Sequence, residues 1–570
     1  MEKRLILAIV LSFALLAVYW IFFLNKPVPP PAYERGVPPA VTSAQPSVPE
    51  TRTESQASPG EAAASLAAVQ PGAPVQPVSL EREQVVKVET PLYIAEWSNR
   101  GAVLKSWKLK KYEEEQKTGE WLEMVNSEPE ELKLSNRYPF ALDADFNRRQ
   151  GEAMLNDKIN AAALFKPSVT SVVIRPGGRQ ELAFTYADES GLFVEKKFVF
   201  NGDGYDFDVF ITFRQNGIEQ DYRVLWGPGI GPSSLAVKRQ RGLSNRGLAA
   251  FSAGKAFRMS EQKYKPDQSI RPYIRWAAYE ETYFTSLFLM PTGQGAAVFQ
   301  QELVNNLPRY YLAVSGAASA YIGPKEIDRV KVLDQAGTTK KLIQTGFFGG
   351  IVEILIVVIR AIHKVVPNWG LVIIILTIML KILFFPLTYS STKSMAKMQE
   401  IQPKIKALRA KYKKHKTDIA MRRQMNEEMM KLYKEHGVNP AGGCLPMLIQ
   451  LPVFWAIFSL LSAAIELRHS PFVFWIKDLS VKDPILVTPI LMGITQFISQ
   501  KMTPTGADPT QARMMLIMPV IMTFFFLGFP SGLVLYWLTS NVLQIAQQHI
   551  MNRLQARKKR EASENSRRKK

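Results

Sequence analysis

The sequence predicts a polytopic α-helical membrane protein with six transmembrane helices and a large all-β domain between the first two. Six stretches are apolar enough to be candidate spans, one near the N terminus and five after residue 368. Much of the intervening chain alternates between apolar and polar side chains, as half-buried strands do. Most of the net charge of +21 lies in two short basic segments, which gives the chain a direction across the membrane.

The run LILAIVLSFALLAVYWIFFL at 5–24 predicts an uncleaved signal-anchor helix. Its length as a helix is about 30 Å, close to the thickness of a hydrocarbon core. A cleaved signal peptide has a shorter apolar core and a small-residue cleavage site, whereas here NKPVPPPAY follows directly. Lys3 and Arg4 precede the run, so the N terminus is expected in the cytoplasm.

Residues 25–80 are rich in Pro, Ala, Ser and Gln and predict a flexible linker. Residues 81–341 predict an all-β domain, because runs such as LFVEKKFVFNGDGYDFDVFITF alternate and are separated by Asn-Gly and Asp-Gly pairs. Large β-sandwiches often bind or convert sugars, and such enzymes usually use a histidine as acid or base. Residues 25–345 contain no histidine, so a folding, docking or spacer role is the better interpretation.

Five further spans are expected after an amphipathic interfacial helix at 342–368. Counted from a cytoplasmic start, six crossings leave 389–442 and 551–570 in the cytoplasm. Residues 390–439 hold 13 basic and 5 acidic side chains, and 551–570 hold 9 and 2, so the positive-inside rule agrees with the span count. One long helix over 513–550 would place the basic tail outside. The expected spans are 369–388, 443–465, 484–501, 513–528 and 532–550.

The basic segment 389–442 predicts a helical hairpin, because apolar residues from Met395 to Tyr412 recur every three or four positions and a second series follows KKHKT. Thr417 is the expected N-cap of the second helix. The lysines and arginines of this hairpin and of the tail 551–570 are either simply solvated or contact anionic headgroups or ribosomal RNA.

Lys381 lies in the middle of the second span, where a charge costs roughly 2.5–3.5 kcal/mol on insertion scales. None of the predicted spans contains an acidic residue, which argues against a proton-coupled transporter and leaves Lys381 without an intramembrane ion-pair partner. An unpaired ammonium must reach water. It either faces a hydrated recess or extends to the cytoplasmic edge of the membrane, about 10 Å away by helix rise.

A hydrated recess requires polar side chains from several spans to converge on Lys381. Methionines on the fifth span are more often core or lipid-facing, but flexible thioethers also suit a surface that accepts many apolar sequences. Such a recess fits a client that is itself an incoming membrane helix. The groove candidates are Lys381, Thr377, Gln450, Gln496, Tyr536, Trp537, Ser540 and Asn541, with Gln544 and Gln547 on the same stripe, and the methionines are Met514, Met518 and Met522.

The stretch VNPAGGCLPMLIQLPVFWAIF at 438–458 closely resembles the start of the third span in the YidC/Oxa/Alb family of membrane protein insertases. NWGLVIIILTIMLKILFFPLT at 368–388 and FPSGLVLYWLTSN at 529–541 resemble the same family, and the likeness covers roughly 345–550. The N-terminal anchor and β domain resemble the Gram-negative type. The resemblance implies a conserved-type five-helix insertase core, made by the helices at 369–388 and 443–550, and a periplasmic β-supersandwich.

The resemblance also implies a function without covalent chemistry or cofactor. It implies an insertase and chaperone of the inner membrane, working alone or with the Sec translocon through a positively charged groove, with nascent membrane proteins, ribosome and signal-recognition-particle receptor as partners. Lys381 matches the positive groove position, where most bacterial members carry arginine. Lysine keeps the charge but lacks the planar fork. Thr377 and the pair Tyr536 and Trp537 match other groove positions. The alternatives from other classes are a secondary transporter and a sugar-active envelope protein.

Overall fold

The computed structural model describes residues 80–114, 118–126, 136–144, 155–231, 246–266, 270–304, 306–343, 348–412, 418–437, 445–502 and 509–568. The predicted signal-anchor at 1–24 and nearly all of the predicted linker at 25–80 lie outside these ranges. The described residues form a β-rich region up to residue 343 and a helical region from residue 348, each with its own hydrophobic core.

The β-rich prediction for residues 81–341 is confirmed, since the described part of this region forms two sandwich-like sheets. Alternation along the chain explains why, because a strand such as LFVEKKFVFN buries every second side chain. The strands are β1 Val85–Glu89, β2 Tyr93–Ser98, β3 Val103–Glu113, β4 Trp121–Glu123, β5 Leu142–Asp143, β6 Lys166–Pro167, β7 Ser171–Val173, β8 Arg179–Ala187, β9 Leu192–Asn201, β10 Asp206–Gln215, β11 Ile218–Glu219, β12 Arg223–Trp226, β13 Gly247–Ser252, β14 Lys255–Ser260, β15 Ile270–Glu280, β16 Phe284–Leu289, β17 Gly295–Val304, β18 Leu307–Ser315 and β19 Ser319–Pro324.

The smaller sheet has the strand order β4-β3-β2-β1-β7, in which β1 and β7 run parallel. The larger sheet follows the path β5-β12-β18-β17-β15-β16-β19-β10-β9-β8-β6, and β11, β13 and β14 pair beside it. Strands β9 and β10 form an antiparallel hairpin with Phe200 opposite Phe207. The Asn-Gly-Asp-Gly turn between them is the one that the sequence predicts.

Aromatic side chains from both sheets meet in the β core. Trp107 of the small sheet lies 5.4 Å from Phe207 of the large sheet between ring centres, and Trp97 lies 4.2 Å from Phe198. These rings are almost completely shielded from solvent. Burying aromatic surface on two facing sheets is the main force that holds a sandwich together.

One charged side chain, Lys196 of β9, also points into this core. Its ammonium donates hydrogen bonds to the carbonyl oxygens of Gly101, Ala102 and Phe140 at 2.6, 3.2 and 2.8 Å. The side chain is fully buried, and this burial lowers the pKa of Lys196 to about 7. Three acceptors match the three donors of an ammonium group, so the polar atoms of this site satisfy one another.

One helix near the C terminus contacts three others. This helix, α7, packs against α2, α4 and α5, while α6 packs against α5, and α1 lies against α2 and α4. Val352, Leu355 and Ile359 are the buried face of α1. The helices are α1 Gly349–Val365, α2 Trp369–Lys411, α3 Ile419–Glu435, α4 Leu445–Ala463, α5 Val487–Met502, α6 Pro509–Phe526 and α7 Ser531–Arg568.

The second predicted span and the first arm of the predicted hairpin are one continuous helix, α2. Thr388 and Thr392 donate to the carbonyl oxygens of Phe384 and Thr388, so both hydroxyls are satisfied within the continuing helix. In α3, the N-cap is Asp418, whose carboxylate accepts from two backbone amides of the first turn, while the predicted cap Thr417 lies outside the described residues. Ile401 and Ile405 of α2 pack against side chains of α3.

Among the residues that the structure describes, the helix Trp369–Lys411 is the one that is both long and apolar enough to cross a membrane. Gln450–Ser462 and Leu516–Phe526 are shorter apolar helical segments. The count of six spans therefore stays a prediction.

Candidate functional site: polar side chains around α7

Lys381 of α2 meets Gln544 of α7. The Lys381 ammonium donates a hydrogen bond to the Gln544 side-chain oxygen at 3.0 Å. The two residues are 163 positions apart in the sequence and share this contact because α2 packs along α7. Within the described ranges, Lys381 makes no ion pair, so its charge is held by a neutral amide. The groups that lie nearest to Lys381 therefore leave its charge uncancelled.

Thr377 lies one helical turn before Lys381, toward the start of α2. Its side chain is buried, and its hydroxyl donates to the carbonyl oxygen of Ile373 at 2.6 Å. The hydroxyl is thus satisfied by its own helix, as serine and threonine often are inside apolar helices. Thr377 is therefore a buried polar residue one turn from Lys381, and its described hydrogen bond stays within α2.

A second polar contact joins α5 to α7. The Trp537 indole nitrogen donates to the Gln496 side-chain oxygen at 3.1 Å. Asn541, one turn further along α7, donates to the Met492 carbonyl oxygen at 3.2 Å and approaches the Thr495 hydroxyl at 3.4 Å. These hydrogen bonds fix the rotation of α7 against α5, and with it the direction in which the rest of the α7 stripe faces.

A third contact joins α4 to α7, where the buried Tyr536 hydroxyl bonds the exposed Gln450 side chain. The Trp537 ring packs edge-on against Phe454 of α4 at 4.9 Å between centres. Ser540, one turn after Tyr536, is buried. Among the described residues, the hydrogen bonds between predicted groove residues on different helices all involve α7. They form three groups: Gln544 bonds Lys381 of α2, Trp537 and Asn541 bond Gln496 and the Met492 backbone of α5, and Tyr536 bonds Gln450 of α4.

The predicted methionine stripe is described in part. The Met514 side chain lies outside the described residues. Met518 is exposed on the surface of α6, and Met522, one turn later, is half-buried against the helical core. Neither methionine is tightly enclosed, so both keep the side-chain freedom that the sequence interpretation requires.

The ends of α2 and α7 on the side of the β domain are packed closely against the loop 464–486. A Cβ placed on Gly370 at the start of α2 would lie 2.0 Å from the Phe472 ring, so only glycine fits there. At the start of α7, the Ser531 hydroxyl lies 2.9 Å from the carbonyl oxygens of both Asp478 and Val481. In the same loop, Asp483 accepts from the Thr488 backbone amide and hydroxyl at 2.8 and 2.7 Å and so caps α5.

Two arginines that the sequence interpretation did not pair connect the loop 464–486 with its surroundings. Arg360 of α1 forms ion pairs with Glu466 at 2.6 Å and with Asp328 of the β-rich region. Arg468 donates to the Glu114 carbonyl oxygen at 3.0 Å, and its guanidinium lies 5.4 Å from the centre of the Phe284 ring. The sequence shows these charges but not their partners, because Arg360 is 106 residues from Glu466 and Arg468 is 354 residues from Glu114.

Comparison with known proteins assigns both regions to one family. The model described as 60Kd inner membrane protein matches residues 361–559, and the model described as YidC periplasmic domain matches residues 85–357. A protein of Geobacter metallireducens named membrane protein insertase YidC is 37% identical over 97% of this chain and 98% of its own length. A protein of the same name from Syntrophus aciditrophicus is 35% identical over 97% of this chain and 100% of its own.

Among solved structures, a crystal structure of an active YidC insertase with its first transmembrane domain resolved shares 20% identity with this chain. It covers 83% of this chain and 93% of the other, with a TM-score of 0.34. The relatives and the two family models indicate an inner membrane protein with a β-rich periplasmic domain and a helical C-terminal part. This chain belongs to the YidC family of membrane protein insertases.

Proposed function

We propose that this protein inserts integral membrane proteins into the inner membrane and helps them fold, without covalent chemistry. The observation that carries the proposal is the cation at Lys381, which lies inside an apolar helix and is held by the neutral Gln544 rather than by an acid. Transfer of the apolar client segment from water to lipid supplies the free energy. The protein lowers the free-energy barrier to moving the polar segments of the client across the membrane along with its apolar segment.

Lys381 acts as the electrostatic part of a groove. A positive charge in a medium of lower dielectric than water attracts a passing carboxylate more strongly than the same charge would in bulk water. On α7 the half-buried Trp537 offers a hydrogen-bonding side chain to hydrophilic client groups, whereas Tyr536, Ser540 and Asn541 are buried and hold the helices together. Met518 and Met522 offer an adaptable apolar surface to the client helix.

A six-span topology with both termini in the cytoplasm belongs to the same proposal. The two basic segments support it through the positive-inside rule. The contacts of Arg360 and Arg468 support it too, because they hold the loop 464–486 against the β-rich region, on what would be the periplasmic side. The start of α2 and the link between α6 and α7 lie beside that loop.

The cytoplasmic hairpin and the tail are proposed to receive the ribosome and the signal-recognition-particle receptor, and the helical region to work alone or with the Sec translocon. Exposed charges on α3 support the hairpin as a docking surface. Arg423 is mostly exposed and pairs with Glu427 on its own helix, while Ile419 and Met430 add exposed apolar surface to the same face. Binding through such charges weakens steeply as salt rises.

The test of the groove compares substitutions at Lys381 in reconstituted vesicles. Lys381→Arg is expected to be tolerated because the charge stays. Lys381→Ala is expected to slow clients with acidic translocated tails, and Lys381→Glu to slow them most, because attraction becomes repulsion. Clients with neutral tails serve as the control for folding of the insertase. Equal insertion of an acidic-tailed client by wild type, alanine and glutamate variants, at matched protein levels, would contradict the electrostatic role.

Contact with the client is tested separately by crosslinking. Photoreactive groups at positions 377, 381 and 537 are expected to capture nascent membrane proteins, whereas one at position 210, exposed on the β domain, is expected not to. Capture from position 210 alone would place the client path elsewhere.

A further inference from the structure

The contact between Lys381 and Gln544 is a hydrogen bond that joins the ammonium of Lys381 to the side chain of Gln544. Gln544 uses its side-chain oxygen as the acceptor, and this is the hydrogen bond that Lys381 makes within the described residues. An ammonium group has three donors. One donor is therefore held by α7, and two are left for other acceptors.

Lysine needs such a partner more than arginine does. Its charge sits at the end of a flexible four-carbon chain, and it lacks the rigid fork that orients an arginine. A single hydrogen bond to an amide can select one rotamer. A carboxylate in the same place would select it more strongly but would also cancel the charge, because an ion pair leaves little net field at a distance.

We propose that Gln544 is a positioning residue that holds the Lys381 ammonium against α7 and thereby sets the preference of the protein for client segments with acidic residues. The inference rests on the proposed function, since it concerns how the groove presents its charge. Gln544 acts through Lys381 and selects the rotamer of the cation, while the ammonium itself meets the client. The recognised chemistry is a carboxylate in the translocated part of the client.

The next polar residues on α7 provide a matched control. Gln548, one turn after Gln544, is buried and donates to the Asn552 side-chain oxygen at 2.9 Å. It therefore has a partner on its own helix, and no described hydrogen bond joins it to Lys381. A lysine at 548 would add the same charge to the same helix without restoring the contact between α2 and α7.

The experiment measures insertion of two clients by the full-length protein in vesicles. Both clients carry one apolar span, and their translocated tails differ only in two aspartates replaced by asparagines. The ratio of acidic-tailed to neutral-tailed insertion reports the preference, and the neutral client alone reports whether each variant is folded. The variants are Lys381→Gln, Gln544→Glu, Gln544→Asn and two double variants that combine Lys381→Gln with either Gln544→Lys or Gln548→Lys.

The expected results follow from where the cation lies. Lys381→Gln and Gln544→Glu should each lower the ratio about fivefold, the first by removing the charge and the second by neutralising it. Gln544→Asn is too short to reach the ammonium and should lower the ratio about twofold. Moving the lysine across the contact, with Lys381→Gln and Gln544→Lys together, should restore the ratio to within about twofold of wild type. The double variant that combines Lys381→Gln with Gln548→Lys should not restore the ratio.

Different outcomes overturn different statements. An unchanged ratio for Lys381→Gln would contradict the electrostatic groove itself, and the role of Gln544 with it. A lowered ratio for Lys381→Gln together with an unchanged ratio for Gln544→Glu would contradict only the positioning role. Equal rescue from positions 544 and 548 would show that any cation on α7 suffices, which also contradicts it. If Gln544→Glu fails to insert the neutral client, the swapped pair decides the question.

Discussion

The β-rich region buries its large apolar side chains in its interior, whereas the helical region exposes many of its apolar side chains and buries polar ones. In the β sandwich, Trp97, Phe140 and Phe198 are fully buried and the charged residues are mostly outside. In the helical region, Ile382 is 68% and Phe524 75% exposed to the surroundings of the protein, while Thr377, Ser540, Asn541 and Gln548 are buried. The first arrangement suits water. The second suits lipid, where apolar surface needs no shelter and polar groups must find partners inside.

Each region also holds a lysine that departs from this arrangement. Lys196 is enclosed by three carbonyl oxygens and has no donor to spare. Lys381 is half-buried and bonded to one amide. A fully satisfied buried polar group holds a fold together, whereas an incompletely satisfied one is available to a ligand. The comparison fits a structural role for Lys196 and the client-binding role that we propose for Lys381.

The largest expected effect is on the stability of the β domain. Lys196→Met keeps most of the apolar volume but leaves the carbonyl oxygens of Gly101, Ala102 and Phe140 without a donor. We expect a loss of about 3–5 kcal/mol in the free energy of unfolding. Pulse proteolysis of the full-length protein in detergent and increasing urea, followed through fragments of the β domain, measures it.

The neighbouring residue is the control for this substitution. Lys197 faces outward and forms an exposed pair with Glu181 at 3.7 Å. Lys197→Met is expected to change stability by less than about 0.5 kcal/mol. Equal effects at 196 and 197 would show that the inward lysine is no more structural than the outward one and would break the comparison.

A smaller effect on stability is expected from substitutions within α7, where a buried polar residue is compared with its exposed apolar neighbour. Asn541→Leu removes the hydrogen bond to the Met492 carbonyl oxygen and should destabilise the helical region by about 0.5–1.5 kcal/mol, the range measured for hydrogen bonds between membrane helices. Val542→Leu, at an outward position, should change stability little because lipid accepts the added methylene. Unfolding of the purified protein in mixed detergent micelles is the measurement. A larger effect at 542 would mean that this face of α7 is packed against protein.

The pattern of the sequence predicts more of the β sandwich than of the groove. The phase of alternation in LFVEKKFVFN places residue 196 inward with Leu192, Val194, Phe198 and Phe200, so the burial of Lys196 could have been found from period two alone. Lysine side chains are usually exposed, so the residue type argues against the burial that the alternation predicts. Its three acceptors come from loops far along the chain, and no local pattern encodes them.

In the helical region, the sequence predicts the polar stripes but not how they meet. Helical periodicity puts Tyr536, Ser540 and Gln544 on one face of α7, yet whether Lys381 meets Gln544 or Ser540 depends on the depth at which α2 crosses α7. The helix ends show the same limit. Thr417 and Asp418 are both good N-caps, and only the backbone geometry shows that Asp418 holds the position.

The smallest effect is expected from the largest change. Deletion of about 40–320 should leave insertion largely intact, because the described hydrogen bonds among the proposed groove residues are made by residues from 369 to 550. The deletion removes Glu114 and Phe284, the partners of Arg468, but keeps both ion-pair partners of Arg360, since Asp328 and Glu466 lie outside it. The loop 464–486 therefore stays attached to α1 when the sandwich is gone. Insertion of a single-span client in vesicles, at membrane levels matched to wild type, measures the outcome. Loss of insertion at normal levels would mean that the water-adapted region does part of the work that we assign to the lipid-adapted one.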